Sequence, residues 1–448
     1  MERRLFGPGG HTGTGSLALR WVTATLVALL CAAPPFASAQ DQGTSAGSDP
    51  LQQVAAAEAG FSQPRLDSLS AALRRYVDEG ALAGSVLLVA RDGALVYQEA
   101  FGWRDREARD DMEVDDLFRI ASQTKAIVSA AVIVLQERGR LLINEPVSEY
   151  LPEFANTGVA VAKEGGGYDV VPAARRITIR DLLTHTAGIG YGWGVAQEAW
   201  EDAGILGWYF ADREEMMADV VSRMATLPMN AHPGTTWVYG YAVDILGVVV
   251  EKVSGLSLAE FLRSEILEPL GMFDTYFYVP ADDGDRLAVV YAHTDDGLER
   301  APDVGTMEAQ GHYLVGPRAA YSGGAGLVST AMDYARFLQM MLNGGELDGV
   351  RILSPSSVEL MTTNHLREDI DYRAGEGFGL GFSVVTELGL RGLPGSVGEY
   401  GWGGAYHSVY WVDPVEKLVV VYLTQLIPAG PIDDHLVVRA MVYGSMVE

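Results

Sequence analysis

The stretch "IASQTKAIVSAAVIVLQERG" (residues 120–139) has the pattern of an apolar helix with a serine and a lysine at its start. It is apolar on most of its faces, which predicts a buried helix, and Gly139 marks its end. Ser122 and Lys125 are three residues apart, so on a helix the hydroxyl and the amine share a face. Unpaired backbone N–H groups at a helix start stabilise a developing oxyanion, which favours a nucleophilic serine. The alternative is that Ser122 only caps the helix and Lys125 reaches solvent.

Strand patterns lie on both sides of this helix in the chain. The run "GSVLLVARDGALVYQEAFGW" (84–103) contains two β-rich segments joined at Asp92-Gly93, a strong hairpin signal. A second hairpin pattern, at 407–426, turns around Asp413-Pro414. Helical patterns with long loops occupy about 150–320. We therefore expect an α+β fold, in which N- and C-terminal segments build one antiparallel sheet flanked by helices, with a helical inserted region.

Two further helix starts are marked by capping residues. "SLAE" (257–260) is a capping box that predicts a helix over 258–269. "STAMDYARFLQMMLNGG" (329–345) has the same kind of polar start followed by an amphipathic pattern.

The composition suits one large exported domain. The chain has 448 residues, 48% of them hydrophobic, and a formal charge of −27, which makes nucleic acid a poor partner. Residues 1–39 read as a signal peptide: arginines, then an apolar run too short to span a bilayer, then a small-residue cleavage pattern. We expect a flexible leader over 40–60, a hydrolase domain over 61–448, no membrane span in the mature chain, and a periplasmic or secreted location. The only cysteine, Cys31, falls in the signal, which excludes disulfides and Cys-ligated metal.

Several blocks of the sequence, in order, resemble one known family. They are "LFRIASQTKAIVSAAVIVLQERGRLLINEPVSEYLPEF" (117–154), "ITIRDLLTHTAGIGYGW" (177–193), "HPGTTWVYGYAVDILGVVVEKVSG" (232–255), "YLVGPRAAYSGGAGLVSTAMDYARFLQMMLNGGELDGVRILSP" (313–355) and "YGWGGAYHSVYWVDP" (400–414). This series is similar to the class C-like branch of the serine β-lactamase and penicillin-binding-protein superfamily. It is closest in style to the family VIII carboxylesterases.

The resemblance assigns roles to residues of three motifs. Ser-x-x-Lys falls on Ser122 and Lys125, and Tyr-x-Asn falls on 239–241, where the tyrosine is kept and the asparagine is replaced by Tyr241. The third motif, a cation followed by a glycine-rich strand edge, falls on Trp402-Gly403-Gly404, so an indole replaces the cation. The family pattern implies Ser122, Lys125 and Tyr239 as catalytic residues, with the backbone N–H groups of Ser122 and Ala405 as the oxyanion hole.

The replacement of the asparagine and of the cation affects both the activation of the catalytic base and the choice of substrate. A tyrosine acting as a base near pH 7 needs its anion favoured by about 4 kcal/mol. One ammonium at about 4 Å supplies about 4 kcal/mol at an effective dielectric constant near 20, before desolvation. We therefore expect Lys125 and Tyr239 to share one proton and titrate jointly, with the activity optimum displaced to alkaline pH.

The lost asparagine and cation argue against efficient β-lactam or D,D-peptide cleavage, which needs a held carboxylate. An aromatic cleft remains, and it suits a small or medium acyl ester. We expect it to be lined by Tyr191, Trp193, Tyr241, Trp402, Gly403 and Gly404.

Several other functions remain open at this point. Rivals on the same fold are a weak β-lactamase, a D-amino-acid peptidase and an acyltransferase; a rival of another class is an inactive relative that binds a ligand in the cleft. No cofactor is implied. No metal-binding spacing occurs among the eight histidines, and no G-x-S-x-G is present. The expected partner is a small-molecule ester or amide.

Overall fold

The computed structural model describes residues 51–305 and 307–447. The predicted signal peptide therefore lies outside the described residues. The prediction of a flexible leader over 40–60 is wrong for residues 51–60. Residues Ala56–Ala59 form a 3₁₀-helix, Leu51 is buried, and Gln53 forms a β-bridge with Leu95. Burial of these apolar side chains against the sheet stabilises a segment whose small residues gave no strong pattern.

The strands of the described residues belong to one large sheet and several short two-stranded pairs. In chain order they are β1 (Gly84–Arg91), β2 (Ala94–Asp105), β3 (Asp110–Asp111), β4 (Phe118–Arg119), β5 (Gly158–Ala162), β6 (Tyr168–Pro172), β7 (Tyr291–Thr294), β8 (Gly297–Arg300), β9 (Val328–Ser329), β10 (Glu346–Leu347), β11 (Val350–Arg351), β12 (Glu376–Phe378), β13 (Ser383–Val385), β14 (Tyr400–Gly404), β15 (Ser408–Asp413) and β16 (Leu418–Thr424).

The large sheet joins the two ends of the described chain. Its strand order is β12-β13-β14-β15-β16-β1-β2-β3, and its pairs are antiparallel. The N-terminal and C-terminal strands meet where β1 pairs with β16, from Ser85 opposite Thr424 to Arg91 opposite Leu418. Both predicted hairpins, β1–β2 and β15–β16, are present. The predicted sheet architecture is confirmed.

Helices cover the sheet and fill the inserted region. In the described residues they are α1 (Gln63–Asp78), α2 (Thr124–Glu137), α3 (Ile179–Leu183), α4 (Gln197–Asp202), α5 (Met217–Met224), α6 (Ala242–Ser254), α7 (Leu258–Leu262), α8 (Ala331–Leu342), α9 (Pro355–Met361), α10 (Leu388–Arg391) and α11 (Asp434–Ser445). The predicted capping box opens α7, with Ser257 and Glu260 bonded reciprocally, and a π-helical turn over Arg263–Leu267 follows it. The inserted region also holds the hairpins β5–β6 and β7–β8.

Alternation along the central strands sends side chains into two apolar layers. On β1, Val86 and Leu88 face the core that contains α2, α6 and α8, whereas Leu87 and Val89 face α1 and α11. Because successive side chains of a strand point to opposite faces, a strand covered on both faces is apolar throughout. This explains the unbroken apolar run of β1. On this face α8 packs on β1 and β16, and α2 packs on α6 within the same core. None of the helices described is long and apolar enough to cross a membrane.

Candidate active site

A short 3₁₀ turn before α2 presents the proposed nucleophile. Ala121–Gln123 form this turn, and Ser122 is half-buried at its centre. Ala121 has φ of 42°, a left-handed conformation that costs a non-glycine residue about 1–2 kcal/mol. The backbone therefore bends sharply just before Ser122, while the rest of α2 is buried beneath it. Ser122 lies at the rim of the core, with its hydroxyl next to open space.

Lys125 is 2% exposed and is held by three acceptors. Its Nζ donates to Ser122 Oγ at 3.2 Å, to Tyr191 Oη at 2.9 Å and to the Gly324 carbonyl oxygen at 2.7 Å. Three donated hydrogen bonds use the three protons of an ammonium group. The alternative in which Lys125 reaches solvent is therefore wrong, and the Ser122–Lys125 contact expected from the spacing is present.

A buried carboxylate lies behind this lysine. Asp244 on α6 is 1% exposed and accepts from Ser322 Oγ at 2.6 Å and from the Gly324 N–H at 3.0 Å. Burial raises the pKa of Asp244, and the charge of Lys125 acts in the opposite direction. A Cβ on Gly324 would lie 2.3 Å from Asp244 Oδ2, so only glycine fits here. The backbone of Gly324 thus links Asp244 and Lys125, because its N–H points toward the carboxylate and its carbonyl oxygen toward the ammonium.

Tyr239 meets Lys125 through its ring rather than its hydroxyl. Lys125 Nζ lies 4.7 Å from the centroid of the Tyr239 ring, a cation–π distance. Among the described residues, the hydrogen bond of Tyr239 Oη comes from Trp402 Nε1, at 2.9 Å. The expected direct bond between Tyr239 Oη and Lys125 is absent. Instead the indole of the third motif donates to the phenol oxygen.

Tyr191 occupies the position expected for Tyr239. Its hydroxyl accepts from Lys125, and the nearby Ser122 side chain favours the Tyr191 anion. Burial nevertheless raises the pKa of Tyr191 well above its ordinary value, and Tyr239 and Asp244 add to the increase. Tyr191 is therefore a neutral phenol near pH 7. From the sequence we predicted only that Tyr191 lines the substrate cleft. Its hydrogen bond with Lys125 could not be predicted, because it depends on the conformation of the loop between α3 and α4.

The third motif packs closely on the nucleophile turn. A Cβ on Gly404 would lie 2.5 Å from the Ile120 carbonyl oxygen, and one on Gly403 would lie 2.9 Å from the Ser408 carbonyl oxygen. These glycines allow β14 to lie directly beside residues 120–122. Ala405 follows at the end of the strand and faces the same cavity as Ser122.

The cavity above Ser122 has a volume of about 500 Å³. Its lining includes the predicted residues Tyr191, Trp402, Gly403 and Gly404, and also Tyr239 and Ala405. Lining residues that the sequence did not indicate include Trp208, Arg373, Glu376 and Ser383. A space of this size, with aromatic side chains in its walls, accommodates a small organic molecule.

Two residues predicted to bind substrate do not line this cavity. Tyr241 is 0% exposed and donates to the backbone carbonyls of Gly207 and Tyr191, so its side chain points into the core. Trp193 is 44% exposed and contacts the edge of Tyr191 from outside. The structure therefore places both side chains outside the cavity that contains Ser122, because adjacent positions on a turn or helix start face different directions.

A cation does reach the third motif, although none follows from its sequence. Arg373, from the loop before β12, places its guanidinium 4.9 Å from the Trp402 ring centroid and 3.7 Å from Glu376. His185, by contrast, is buried against the Tyr239 ring, with centroids 4.8 Å apart, and burial lowers its pKa well below the ordinary value. His185 is therefore a neutral packing residue.

The glycine between Tyr239 and Tyr241 yields a first prediction. A Cβ on Gly240 would lie 2.4 Å from Gly190 C and from the Ile189 carbonyl oxygen, on the segment that leads to Tyr191. Overpacking of this kind costs about 1–3 kcal/mol. We expect Gly240→Ala to lower both the free energy of unfolding and kcat, as measured by thermal denaturation and ester turnover. Gly389→Ala, whose Cβ meets nothing within 4 Å, is the matched control. A Gly240→Ala variant with wild-type stability and kcat would contradict this packing.

Comparisons with known proteins identify the family of this chain. The Beta-lactamase family model matches residues 69–438. A Mycobacterium tuberculosis protein is 36% identical over 379 residues, which cover 82% of this chain and 92% of that protein. Esterase EstB of Burkholderia gladioli is 33% identical over 374 residues, covering 80% and 89% of the two chains.

Among solved structures, EstCE1, described as a hydrolase with promiscuous acyltransferase activity, superposes with a TM-score of 0.74 at 29% identity. The match covers 85% of this chain and 99% of that one. Because the family match extends over most of the described residues and includes the serine–lysine pair, this chain belongs to the Beta-lactamase family and is a serine hydrolase.

Proposed function

We propose that the protein is a carboxylesterase that cleaves small or medium acyl esters through an acyl-enzyme on Ser122. The observation that carries the proposal is the group of Ser122, Lys125 and Tyr191 joined by hydrogen bonds at the floor of a cavity with aromatic walls. The likeness to esterase EstB supports the ester as substrate.

The proposed reaction forms and breaks one acyl bond to the enzyme. Ser122 Oγ attacks the ester carbonyl, its proton passes to Tyr239, and the carbonyl oxygen becomes an oxyanion held by the N–H groups of Ser122 and Ala405. The intermediate collapses, and Tyr239 returns the proton to the departing alkoxide. A water molecule then attacks the acyl-enzyme by the same route, which releases the carboxylic acid and restores Ser122.

Tyr239 is the better base because its anion has two stabilising neighbours. The Lys125 ammonium lies over its ring, and the Trp402 indole donates to its oxygen. A hydrogen bond to a charged group contributes about 1.5–3 kcal/mol, and the attraction of the ammonium for a negative charge on the ring adds to it. Tyr191, raised in pKa by burial, instead holds Lys125 in place. The Tyr239–Ser122 contact would form when substrate fills the cavity, as catalytic hydrogen bonds often tighten in the substrate complex.

The indole hydrogen bond yields a second prediction. We expect Trp402→Phe to lower kcat near pH 7 by roughly 10- to 100-fold, the equivalent of one hydrogen bond to an anion, with partial recovery as pH rises. The pH profile of kcat on a p-nitrophenyl ester measures this. Trp237→Phe is the matched control, because Trp237 stacks on Tyr239 but its Nε1 has no acceptor within the part of the chain that the structure describes. An unshifted profile in Trp402→Phe would show that the indole does not support the base.

A panel of substrates tests the proposed function. Neutral p-nitrophenyl esters of increasing acyl length, an ester bearing a carboxylate, a chromogenic cephalosporin and a D-Ala-D-Ala peptide would be compared by kcat/KM. We expect the neutral esters to be cleaved best, because the third motif presents an indole where relatives hold a carboxylate with a cation. Preference for the cephalosporin or the peptide would overturn the esterase proposal, and Arg373 beside Trp402 would then be the cation to examine.

Acyl transfer is the second candidate function. EstCE1 is described as having promiscuous acyltransferase activity, and an open cavity would admit an alcohol in place of water. Adding a primary alcohol to the ester assay and measuring the new ester separates transfer from hydrolysis.

A further inference from the structure

The turn that carries Ala405 contains an unusual residue. Residues 405–407 join β14 to β15, and His407, the last of the three, has φ of 59°. This left-handed conformation favours glycine and costs other residues about 1–2 kcal/mol. A glycine would form the same turn without that cost.

The imidazole ties the turn to the last helix. His407 Nε2 lies 2.7 Å from Oδ1 of Asp434, a 0% exposed carboxylate at the start of α11. The Tyr422 hydroxyl donates to the other oxygen of Asp434 at 2.9 Å, and the His435 N–H donates to Oδ1 at 2.9 Å. Burial would raise the pKa of Asp434, but the hydrogen bond and charge of His407 hold it below its ordinary value. The carboxylate therefore remains a strong acceptor for His407.

A second imidazole and a threonine secure the backbone of the same turn. The His435 ring stacks on His407, with centroids 3.9 Å apart, and its Nε2 lies 3.1 Å from the His407 carbonyl oxygen. Thr424 Oγ1 on β16 donates to the carbonyl oxygens of Tyr406 at 2.9 Å and His407 at 2.5 Å. The turn is thus held on its outer side by α11 and β16.

The inner side of the turn reaches the nucleophile. Tyr406 is buried in an apolar cluster that includes Ala121, the residue before Ser122. Gly404 lies against the Ile120 carbonyl oxygen. Any outward movement of the turn therefore changes the position of the Ala405 N–H relative to Ser122. That position matters because oxyanion-hole donors act only within about 2.7–3.1 Å of the developing charge.

We propose that His407, anchored by Asp434, is a positioning residue that holds the Ala405 N–H in the oxyanion hole. The inference rests on the proposed acyl-transfer chemistry of Ser122, and it assigns to the His407–Asp434 pair a role outside the three motifs. His407 acts through the turn and does not exchange protons with substrate in this role.

The test compares His407→Gly with wild type on an oxo-ester and on its thiono analogue. Glycine relieves the strained φ, so the melting temperature should be unchanged or higher, whereas loss of the imidazole frees the turn. We expect kcat for the oxo-ester to fall roughly tenfold, below the 10²–10³-fold loss typical of complete removal of one oxyanion donor, with KM within about twofold. The ratio of the oxo-ester rate to the thiono-ester rate should also fall. Sulfur is a weaker hydrogen-bond acceptor than oxygen, so the thiono-ester depends less on the Ala405 N–H. His407→Gln, which keeps a donor in reach of Asp434, should restore most of the ratio.

Controls separate positioning from general damage. Lys417→Gly relieves a similar positive φ (52°) in the adjacent β15–β16 loop, where the exposed lysine pairs with Asp92. It should leave kcat and the ratio unchanged. Equal losses on both esters, or a wild-type ratio in His407→Gly, would overturn the proposal. The rate at which a fluorophosphonate labels Ser122 should also fall in His407→Gly. If the fluorophosphonate labels Ser122 of the wild-type enzyme but no ester is cleaved, the esterase function is refuted. The proposed role of His407 is then still tested by the labelling rate.

Discussion

Replacing Ser122 by alanine is expected to reduce ester hydrolysis by roughly 10⁴- to 10⁶-fold, the scale of losing the nucleophile of a serine hydrolase. The Ser122 hydroxyl is the group that becomes acylated. Without it, Lys125 and Tyr191 have no nucleophile beside them to act on the substrate. Steady-state assay of a p-nitrophenyl ester measures the loss. Intact mass after treatment with a fluorophosphonate should show one adduct on the wild-type chain and none on Ser122→Ala.

The same helix provides a matched control. Ser129 is buried on α2 and does not line the cavity, and among the described residues its hydroxyl has no hydrogen-bond partner. Ser129→Ala therefore removes a serine from the same element and should be labelled and active like wild type. An adduct on Ser122→Ala, or an adduct mapped elsewhere in wild type, would place the nucleophile at another residue and end the proposed mechanism.

Tyr239→Phe is expected to lower kcat by about 10²–10⁴-fold, because it removes the group that receives the serine proton. KM should change little, since the aromatic ring and its contact with Lys125 remain. Loss of the hydroxyl also leaves Trp402 Nε1 without its acceptor. The change in kcat should therefore persist across the accessible pH range, unlike the partial recovery expected for Trp402→Phe.

Tyr191→Phe is the informative comparison, since both tyrosines contact Lys125. The removed hydroxyl is one of the three acceptors of Lys125, and the Gly324 carbonyl and Ser122 remain. We expect Tyr191→Phe to lower kcat by only about tenfold. If Tyr191→Phe proved more damaging than Tyr239→Phe, the roles would be exchanged, and Tyr191 would be the base despite its burial.

The sequence by itself determined the sheet, the nucleophile helix and the serine–lysine contact. Each depends on local rules: period-two alternation and turn residues for β1–β2 and β15–β16, and the three-residue helical spacing for Ser122 and Lys125. Gly403 and Gly404 followed from the resemblance of residues 402–404 to the third family motif, and the structure shows that a Cβ at either position would meet a neighbouring carbonyl oxygen.

Tertiary structure alone decided which groups other than Ser122 meet Lys125 and which side chains face the cavity. Tyr191, Asp244 and the Gly324 carbonyl come from separate segments, so no spacing in the chain indicates that they converge. Arg373 reaches Trp402 for the same reason, and Tyr241 points away although it is two residues from Tyr239. Local sequence sets the backbone period, but the direction and partners of a side chain depend on packing between elements that are distant in the chain.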